Sequence, residues 1–117
     1  MKNFREFIVW QKSHEFILEI YKLTEKFPDK EKFGLIQQMR RAAVSIAANI
    51  AEGSKRKSDR DFSHFLNMSE GSLEETKYYL ILSKDLNIID GLIYNELYEL
   101  AEEIGRLLNG FIKKLKT

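Results

Sequence analysis

Apolar residues recur three or four positions apart along nearly the whole chain, and this spacing restricts the fold more than any other feature. Positions at this spacing share one side of an α-helix, whereas a half-buried strand alternates apolar and polar residues. The 117 residues include one Pro and six Gly, so few positions interrupt a helix. The sequence therefore predicts an all-α fold in one domain, residues 1–117, which is large enough to bury a core of its own.

Four helices follow from this pattern and from the residues that cap or stop them. The first ends before Pro28, which disfavours helical geometry at the preceding residue. The predicted segments are 4–27, 31 or 32 to 54, and 58–86, the last of which starts with Ser58 in a pattern that resembles a capping box with Asp61. A fourth segment starts after Asp90 as its N-cap. Because the connections are short, successive helices should be antiparallel, and we predict an up-down-up-down four-helix bundle.

The first two helices each show a predicted core side. The first is expected to bury Phe7, Trp10, His14, Ile17, Tyr21 and Thr24. The second is expected to bury Leu35, Met39, Ala42, Ala43, Ile46 and Ile50. The opposite side of the second helix collects Gln37, Gln38, Arg41, Ser45, Asn49, Glu52 and Arg56. The second helix therefore has two faces of different chemistry.

Charge is unevenly distributed although the net charge is only +1. Residues 29–60 hold eight Lys or Arg against four Asp or Glu, whereas residues 61–108 hold three against ten. A basic binding surface would explain this segregation, and so would subunits that pack a basic face against an acidic face. Both interpretations stay open at the level of the sequence.

No self-sufficient catalytic, metal-binding or cofactor-binding motif is present. His14 and His64 are the two histidines, and neither has a second His at metal-ligand spacing. The chain lacks Cys, which fits a reducing compartment and indicates the cytoplasm, and residues 1–16 show neither a signal peptide nor a membrane span. We expect a soluble protein that is not an enzyme and uses no metal or cofactor; an enzyme built on Glu52 and His64 is disfavoured.

Small and polar residues on the second helix indicate a contact surface. Ser45 and Asn49 are poor choices for a helix interior, because their side chains compete for backbone hydrogen bonds. Close approach of a neighbour and hydrogen bonds to it would compensate. Glu52 lies on the same side, although an ordinary solvated ion pair with Arg56, four residues on, would also explain it.

The third helix carries a second indication of contact. Gly71, Tyr78 and Leu82 are expected on the side opposite its core residues. Gly71 costs roughly 1 kcal/mol relative to Ala in a helix interior, and close approach of another backbone would compensate. We interpret this side as a surface for self-association, and scattered exposed apolar residues are the alternative.

Basic residues around the turn between the second and third helices suit contact with phosphates. The candidate nucleic-acid-binding residues are Arg40, Arg41, Lys55, Arg56, Lys57 and Arg60. No aromatic residue lies close enough in the sequence of this turn for base stacking, so the pattern predicts phosphate contact without sequence reading. The alternative is a loop whose charges are merely solvated.

Two segments of the chain match a known family pattern. The run QQMRRAAVSIAANIAEG at 37–53, followed by GSLEE at 71–75, resembles the signature of the four-helix-bundle proteins encoded in intervening sequences of bacterial 23S ribosomal RNA genes. The similarity extends to residues 10–21 and so covers most of the chain. Related bundles serve as accessory proteins of diversity-generating retroelements.

The resemblance implies a bacterial cytoplasmic protein that forms a ring-like homo-oligomer, a pentamer, with a basic surface for nucleic acid or a partner. It does not imply an enzyme. The positions that match the recurring residues of the family are Arg40, Arg41, Ser45, Asn49, Glu52, Gly53, Gly71 and Ser72. We expect a non-enzymatic oligomer that contacts RNA or DNA; the alternative is an adaptor that recruits an acidic or polymerase-like protein without binding nucleic acid.

Overall fold

The computed structural model describes residues 3–116 and places four long helices in that range. They are α1 (Ile8–Thr24), α2 (Gln37–Gly53), α3 (Asp59–Asp85) and α4 (Gly91–Lys116). No strand occurs among these residues. α1 packs against α2 and α4, and α3 packs against the same two helices. The predicted all-α four-helix bundle is confirmed.

Three phenylalanine rings show how the helices are oriented. The ring of Phe7, just before α1, lies 6.2 Å from that of Phe62 in the first turn of α3. Both lie 5.2 Å from the ring of Phe111, near the end of α4. α1 and α3 therefore begin where α4 ends, which fits the up-down-up-down order.

The predicted first helix is shorter in the structure than 4–27. Residues Phe4–Glu6 form a separate 3₁₀ turn, and the extended backbone of Phe7 divides it from α1. α1 ends at Thr24, and Phe27 is buried in the segment that follows. The helix thus ends before Pro28, as expected from the steric limit that Pro imposes, but it stops three residues earlier than predicted.

The entry into the second helix is also irregular. A 3₁₀ turn, Asp29–Glu31, leads into a π-helical turn, Lys32–Ile36, and regular α2 starts only at Gln37. The prediction of one continuous α-helix from residue 31 or 32 is therefore wrong. α2 itself runs without interruption to Gly53.

The predicted caps of the last two helices are confirmed. The main-chain N–H of Asp61 donates to the hydroxyl of Ser58, 3.1 Å away, at the start of α3. At the start of α4, the N–H of Ile93 donates to the Asp90 carboxylate over 2.9 Å. Asn87, with φ of 62°, turns the chain after α3 in the left-handed conformation that Asn tolerates. These caps satisfy N–H groups that a helix leaves unpaired.

The core side of α2 was predicted correctly, and that of α1 only in part. Leu35 and the five predicted residues of α2 are all buried. In α1, His14 and Tyr21 are exposed, and the buried residues are Val9, Ser13, Phe16, Ile17, Ile20 and Thr24. α1 carries two neighbouring apolar stripes, and its contacts with α2 and α4 decide which one is buried.

None of the described helices is long and apolar enough to span a membrane.

Candidate nucleic-acid and subunit-contact surfaces

The small polar residues of α2 contact α3 within the same chain. The hydroxyl of Ser72 on α3 donates to that of Ser45 over 2.9 Å. The Asn49 amide donates to the Ser45 hydroxyl at 3.0 Å and to the Ser45 carbonyl at 2.9 Å. Asn49 is only 9% exposed. The expected neighbour is therefore α3, and the assignment of Asn49 to an outward contact surface is corrected.

Glu52 lies on the surface and pairs with Arg56. The guanidinium nitrogen of Arg56 lies 3.4 Å from the Glu52 carboxylate, and its Cζ lies 4.6 Å from the centre of the Phe65 ring. Both side chains are well exposed, so the pair contributes about 0.5 kcal/mol or less. This geometry is that of the ordinary helix ion pair, and it leaves Glu52 at the edge of the α2–α3 contact.

Two of the three candidate contact residues on α3 lie on an open surface. Tyr78 is 56% exposed, and a Cβ added to Gly71 would meet no atom within 4 Å. Leu82 instead packs partly against the core, so its predicted outward position is corrected. Gly71 lines a shallow groove between α3 and α4 in which acidic residues predominate; the charged residues of that groove are Glu70, Glu74, Lys77, Glu102 and Arg106. The open part of this face can accept a neighbouring surface.

Lys77 is the one charged residue in this region that is nearly buried, at 8% exposure. Its ammonium group lies 2.8 Å from the Glu102 carboxylate and 3.0 Å from that of Glu74. Burial alone would lower the pKa of Lys77, but the two carboxylates outweigh it and raise the pKa above 10.5. In return, the hydrogen bond and charge of Lys77 lower the pKa of Glu102. The pair joins α3 to α4.

Arg40 and Arg41 are held by contacts inside the chain. The Nε of Arg40 donates to the Thr24 hydroxyl over 2.8 Å, and its guanidinium lies 4.4 Å from the centre of the Tyr21 ring. Arg41 pairs with Glu75 on α3 and donates to Gln38. The charge of Arg41 is thus balanced, whereas no carboxylate of residues 3–116 pairs with Arg40.

The six candidate cations fall into two groups. α2 rises about 1.5 Å per residue, so Arg41 lies roughly 20 Å along the helix axis from Lys55. Lys55 and Lys57 lie in the exposed turn between α2 and α3, and Arg60 is exposed in the first turn of α3. Within the described part of the chain, none of these three has a carboxylate at ion-pair distance.

The end of α4 adds cations that the sequence interpretation missed. Lys113, Lys114 and Lys116 lie in its last turn, and Arg60 and Lys116 line the same groove, together with His64 and Asn67. The antiparallel order could have indicated this, because it brings the end of a fourth helix beside the start of the third. We call this surface the basic end, and its members are Lys55, Arg56, Lys57, Arg60, Lys113, Lys114 and Lys116.

An apolar groove between α1 and α2 was also missed. Its lining residues are Phe4, Trp10, His14, Ile17, Leu18, Tyr21, Val44, Ala47, Ala48 and Ala51. The alanines of α2 form a low floor, and the larger side chains of α1 form a wall; Leu18 is 49% exposed. The rings of Trp10 and His14 stack with their centres 5.0 Å apart. We call this surface the apolar groove.

Neither the groove at the basic end nor the apolar groove has the donor set of a metal centre. Across residues 3–116, no three His, Asp or Glu side chains are placed to hold a metal ion together. Every buried side-chain nitrogen or oxygen in that range has a hydrogen-bond partner. The surfaces described above can therefore provide charge, aromatic faces and apolar area for a partner.

Residues 5–110 match the model of a protein family described as 23S rRNA-intervening sequence protein. A solved structure is also similar: a protein of unknown function from the S23 ribosomal protein family of Bacteroides thetaiotaomicron VPI-5482. The two sequences are 32% identical, the match covers 91% of this chain and 99% of the other, and the TM-score is 0.82. None of the curated proteins matches the chain.

Proposed function

Because the chain belongs to the family of 23S rRNA-intervening sequence proteins, we propose that it is a non-enzymatic homo-oligomer that binds RNA or DNA phosphates through its basic end. The proposal covers phosphate contact, which requires cations near one another, and subunit contact, which requires an exposed apolar surface. Each is supported by a separate part of the molecule.

The observation that carries the proposal is the meeting of three helix ends at the basic end. The end of α2, the start of α3 and the end of α4 together bring seven Lys or Arg side chains to one side of the bundle. Lys55, Lys57 and Arg60 have no carboxylate partner among residues 3–116. Cations left unpaired in this way can replace the counterions that surround a nucleic-acid backbone.

Self-association is proposed between two different faces. The apolar groove of one subunit would receive the α3 face of the next, where Gly71 and Tyr78 are exposed. A contact between unlike faces forms a ring when the rotation between neighbouring subunits closes, and the family resemblance implies a ring of five.

Binding of a fluorescein-labelled single-stranded RNA, measured by anisotropy over a series of salt concentrations, tests the phosphate contact. We expect affinity to fall steeply with salt and to depend little on sequence. Lys55→Gln combined with Lys57→Gln should reduce the slope of log affinity against log salt by about two. Lys26→Gln combined with Lys84→Gln, at the other end of the bundle and outside both candidate RNA surfaces, is the matched control and should change the slope less.

Absence of RNA and DNA binding even at low salt would contradict the proposal and favour the adaptor. The two are separated further by purifying the protein from a nuclease-treated lysate. An adaptor for an acidic or polymerase-like protein keeps its partner after this treatment, whereas a partner held through nucleic acid is lost.

Light scattering tests the subunit contact. We expect five times the 13.8 kDa mass of one chain. Ala48→Glu places a charge in the apolar groove and should reduce the mass toward that of the monomer. Asn95→Glu, which places a similar charge on the exposed side of α4, should leave the mass unchanged. A wild-type protein that is monomeric at micromolar concentration would contradict this part of the proposal.

A further inference from the structure

A second surface with cations lies at the other end of α2, away from the basic end. It is a depression of about 570 Å³. Its lining residues are Tyr21, Lys32, Phe33, Ile36, Gln37, Arg40, Arg41 and Val44. Phe33 is 82% exposed, more than any other large apolar residue described. We call this surface the Phe33 site.

The π-helical turn accounts for the exposure of Phe33. Lys32–Ile36 turns back toward the core at Leu35, which is buried, and leaves the preceding aromatic ring outside. The ammonium group of Lys32 lies 5.7 Å from the centre of the Phe33 ring, on the edge of the same depression. Single π-helical turns occur frequently at functional sites. An aromatic face held beside a cation is thus available to a ligand.

Arg40 supplies a second cation in a fixed position. Its bonds to Thr24 and to the Tyr21 carbonyl, together with the Tyr21 ring beneath it, hold the guanidinium over α1. No carboxylate of residues 3–116 neutralises it. The charge of Arg40 is therefore already oriented and remains available to an anion.

Comparison with the adjoining apolar groove indicates what kind of ligand fits. The two depressions share Tyr21 and Val44, but no Lys or Arg lines the apolar groove, whereas three line the Phe33 site. A protein side chain that buries only apolar area is better matched to the apolar groove. An exposed aromatic ring that lines one depression with Lys32 and Arg40, neither of which has a carboxylate partner among residues 3–116, suits a ligand that combines a flat ring with negative charge, as a nucleotide does.

We propose that the Phe33 site binds an unpaired nucleotide of a single strand, with the base stacked on Phe33 and the neighbouring phosphates at Lys32 and Arg40. Bases within a duplex are stacked on each other and do not present a face to a protein, so this site selects single-stranded segments. The inference rests on the proposed function and adds to it, because phosphate contact at the basic end alone does not distinguish single strands from duplexes.

The test compares a labelled 15-nucleotide single-stranded RNA with a labelled blunt-ended RNA duplex of about 15 base pairs, each titrated with the full-length protein. We expect the wild type to bind the single strand more tightly. Phe33→Ala should weaken single-strand binding about tenfold and leave duplex binding and the salt slope unchanged. Phe33→Trp should keep the preference, and Lys32→Gln should lower the salt slope by about one.

Leu92→Ala is the matched control, because Leu92 is another highly exposed apolar residue, at the start of α4. It should leave both affinities unchanged. If Phe33→Ala binds the single strand like the wild type, the inference is overturned while the proposed function stands. A mass change of Phe33→Ala without RNA would overturn it by showing a protein contact. Failure of the wild type to bind either RNA would overturn both proposals.

Discussion

Gly53 and Phe65 touch so closely that a Cβ added at position 53 would lie 2.6 Å from the Cβ of Phe65. The same added atom would lie 3.0 Å from the ring of Phe62. Gly53 is buried at the end of α2, where α3 crosses it. The absence of a side chain at this position is what lets the two helices approach before the turn that carries Lys55 and Lys57.

Gly53→Ala should therefore destabilise the fold. The Cβ of Phe65 is fixed to its backbone, so α3 would have to shift, and we expect a loss of about 1–3 kcal/mol in the free energy of unfolding. Gly110→Ala is the control: no atom lies within 4 Å of its added Cβ, and Ala should stabilise α4 there by up to about 1 kcal/mol. Urea denaturation of both variants measures the difference, and equal stabilities would contradict the prediction.

Ser69→Ala should cost about 1 kcal/mol. Its fully buried hydroxyl donates to the main-chain carbonyl of Ile46 over 2.8 Å and so links α3 to α2. Ala fills nearly the same space but removes this donor. Ser63→Ala, on the half-buried side of α3, should change the free energy of unfolding by about 0.5 kcal/mol or less, as measured in the same denaturant series. A larger loss at Ser63 than at Ser69 would be inconsistent with this role.

Glu102→Gln should reduce the change in the free energy of unfolding between neutral and acid pH. The hydrogen bond and charge of Lys77 lower the pKa of Glu102 in the folded state. The ionised carboxylate therefore stabilises the fold at pH values above 4.5, the ordinary pKa of the group. That stabilisation is lost as the pH falls through the folded pKa. Chemical denaturation at a series of pH values should show wild type more stable than Glu102→Gln near neutrality and the two converging in acid.

The contribution of Lys77 to stability has the opposite pH dependence and is lost in base. Its pKa is raised in the folded state, so its contribution is complete below 10.5 and is lost as the pH rises through the folded pKa. Glu99→Gln is the control for the acid limit, because Glu99 is exposed on α4, the helix that carries Glu102, and has no cationic partner at ion-pair distance among residues 3–116. A pH dependence in Glu99→Gln that matched Glu102→Gln would contradict the assignment.

Gly71→Ala should raise the stability of the isolated chain and weaken its self-association. Within one chain the added methyl meets nothing, so the gain in helix propensity is about 1 kcal/mol. Between subunits the same methyl would hold the surfaces apart. Thermal denaturation at low protein concentration and light scattering at high concentration separate the two effects. An unchanged oligomer mass at all concentrations would remove Gly71 from the proposed contact.

The sequence was informative where one chemical rule determines the structure. The five residues of α2 predicted from spacing are buried, although Ala47, Asn49 and Gly53 are buried as well. Ser58 and Asp90 were recognised because N-caps need particular side chains. α1 was harder because Val9, Phe16 and Ile20 form a second stripe beside the predicted one. Only contact with the other helices distinguishes the two stripes.

The candidate surfaces depend on distances between helices, which the spacing of residues in the sequence does not specify. Asn49 was predicted to face a partner, yet it is only 9% exposed within the chain, and its amide bonds to Ser45 of its own helix. Phe33 gave no signal as a ligand contact, since a regular helix starting at 31 or 32 was expected in place of the π-helical turn. Helix positions were thus largely predictable, whereas the grooves between helices were not.

Each helix packs beside the next one in the chain, so most contacts form between segments that are near in sequence, and proteins of this kind fold within microseconds to milliseconds. The seam between α1 and α4 is different, because Phe7 and Phe111 meet across almost the whole chain. Closing that loop costs the most chain entropy. We therefore expect α2 and α3 to associate early and the α1–α4 seam to close last, which makes it the first place where the bundle opens.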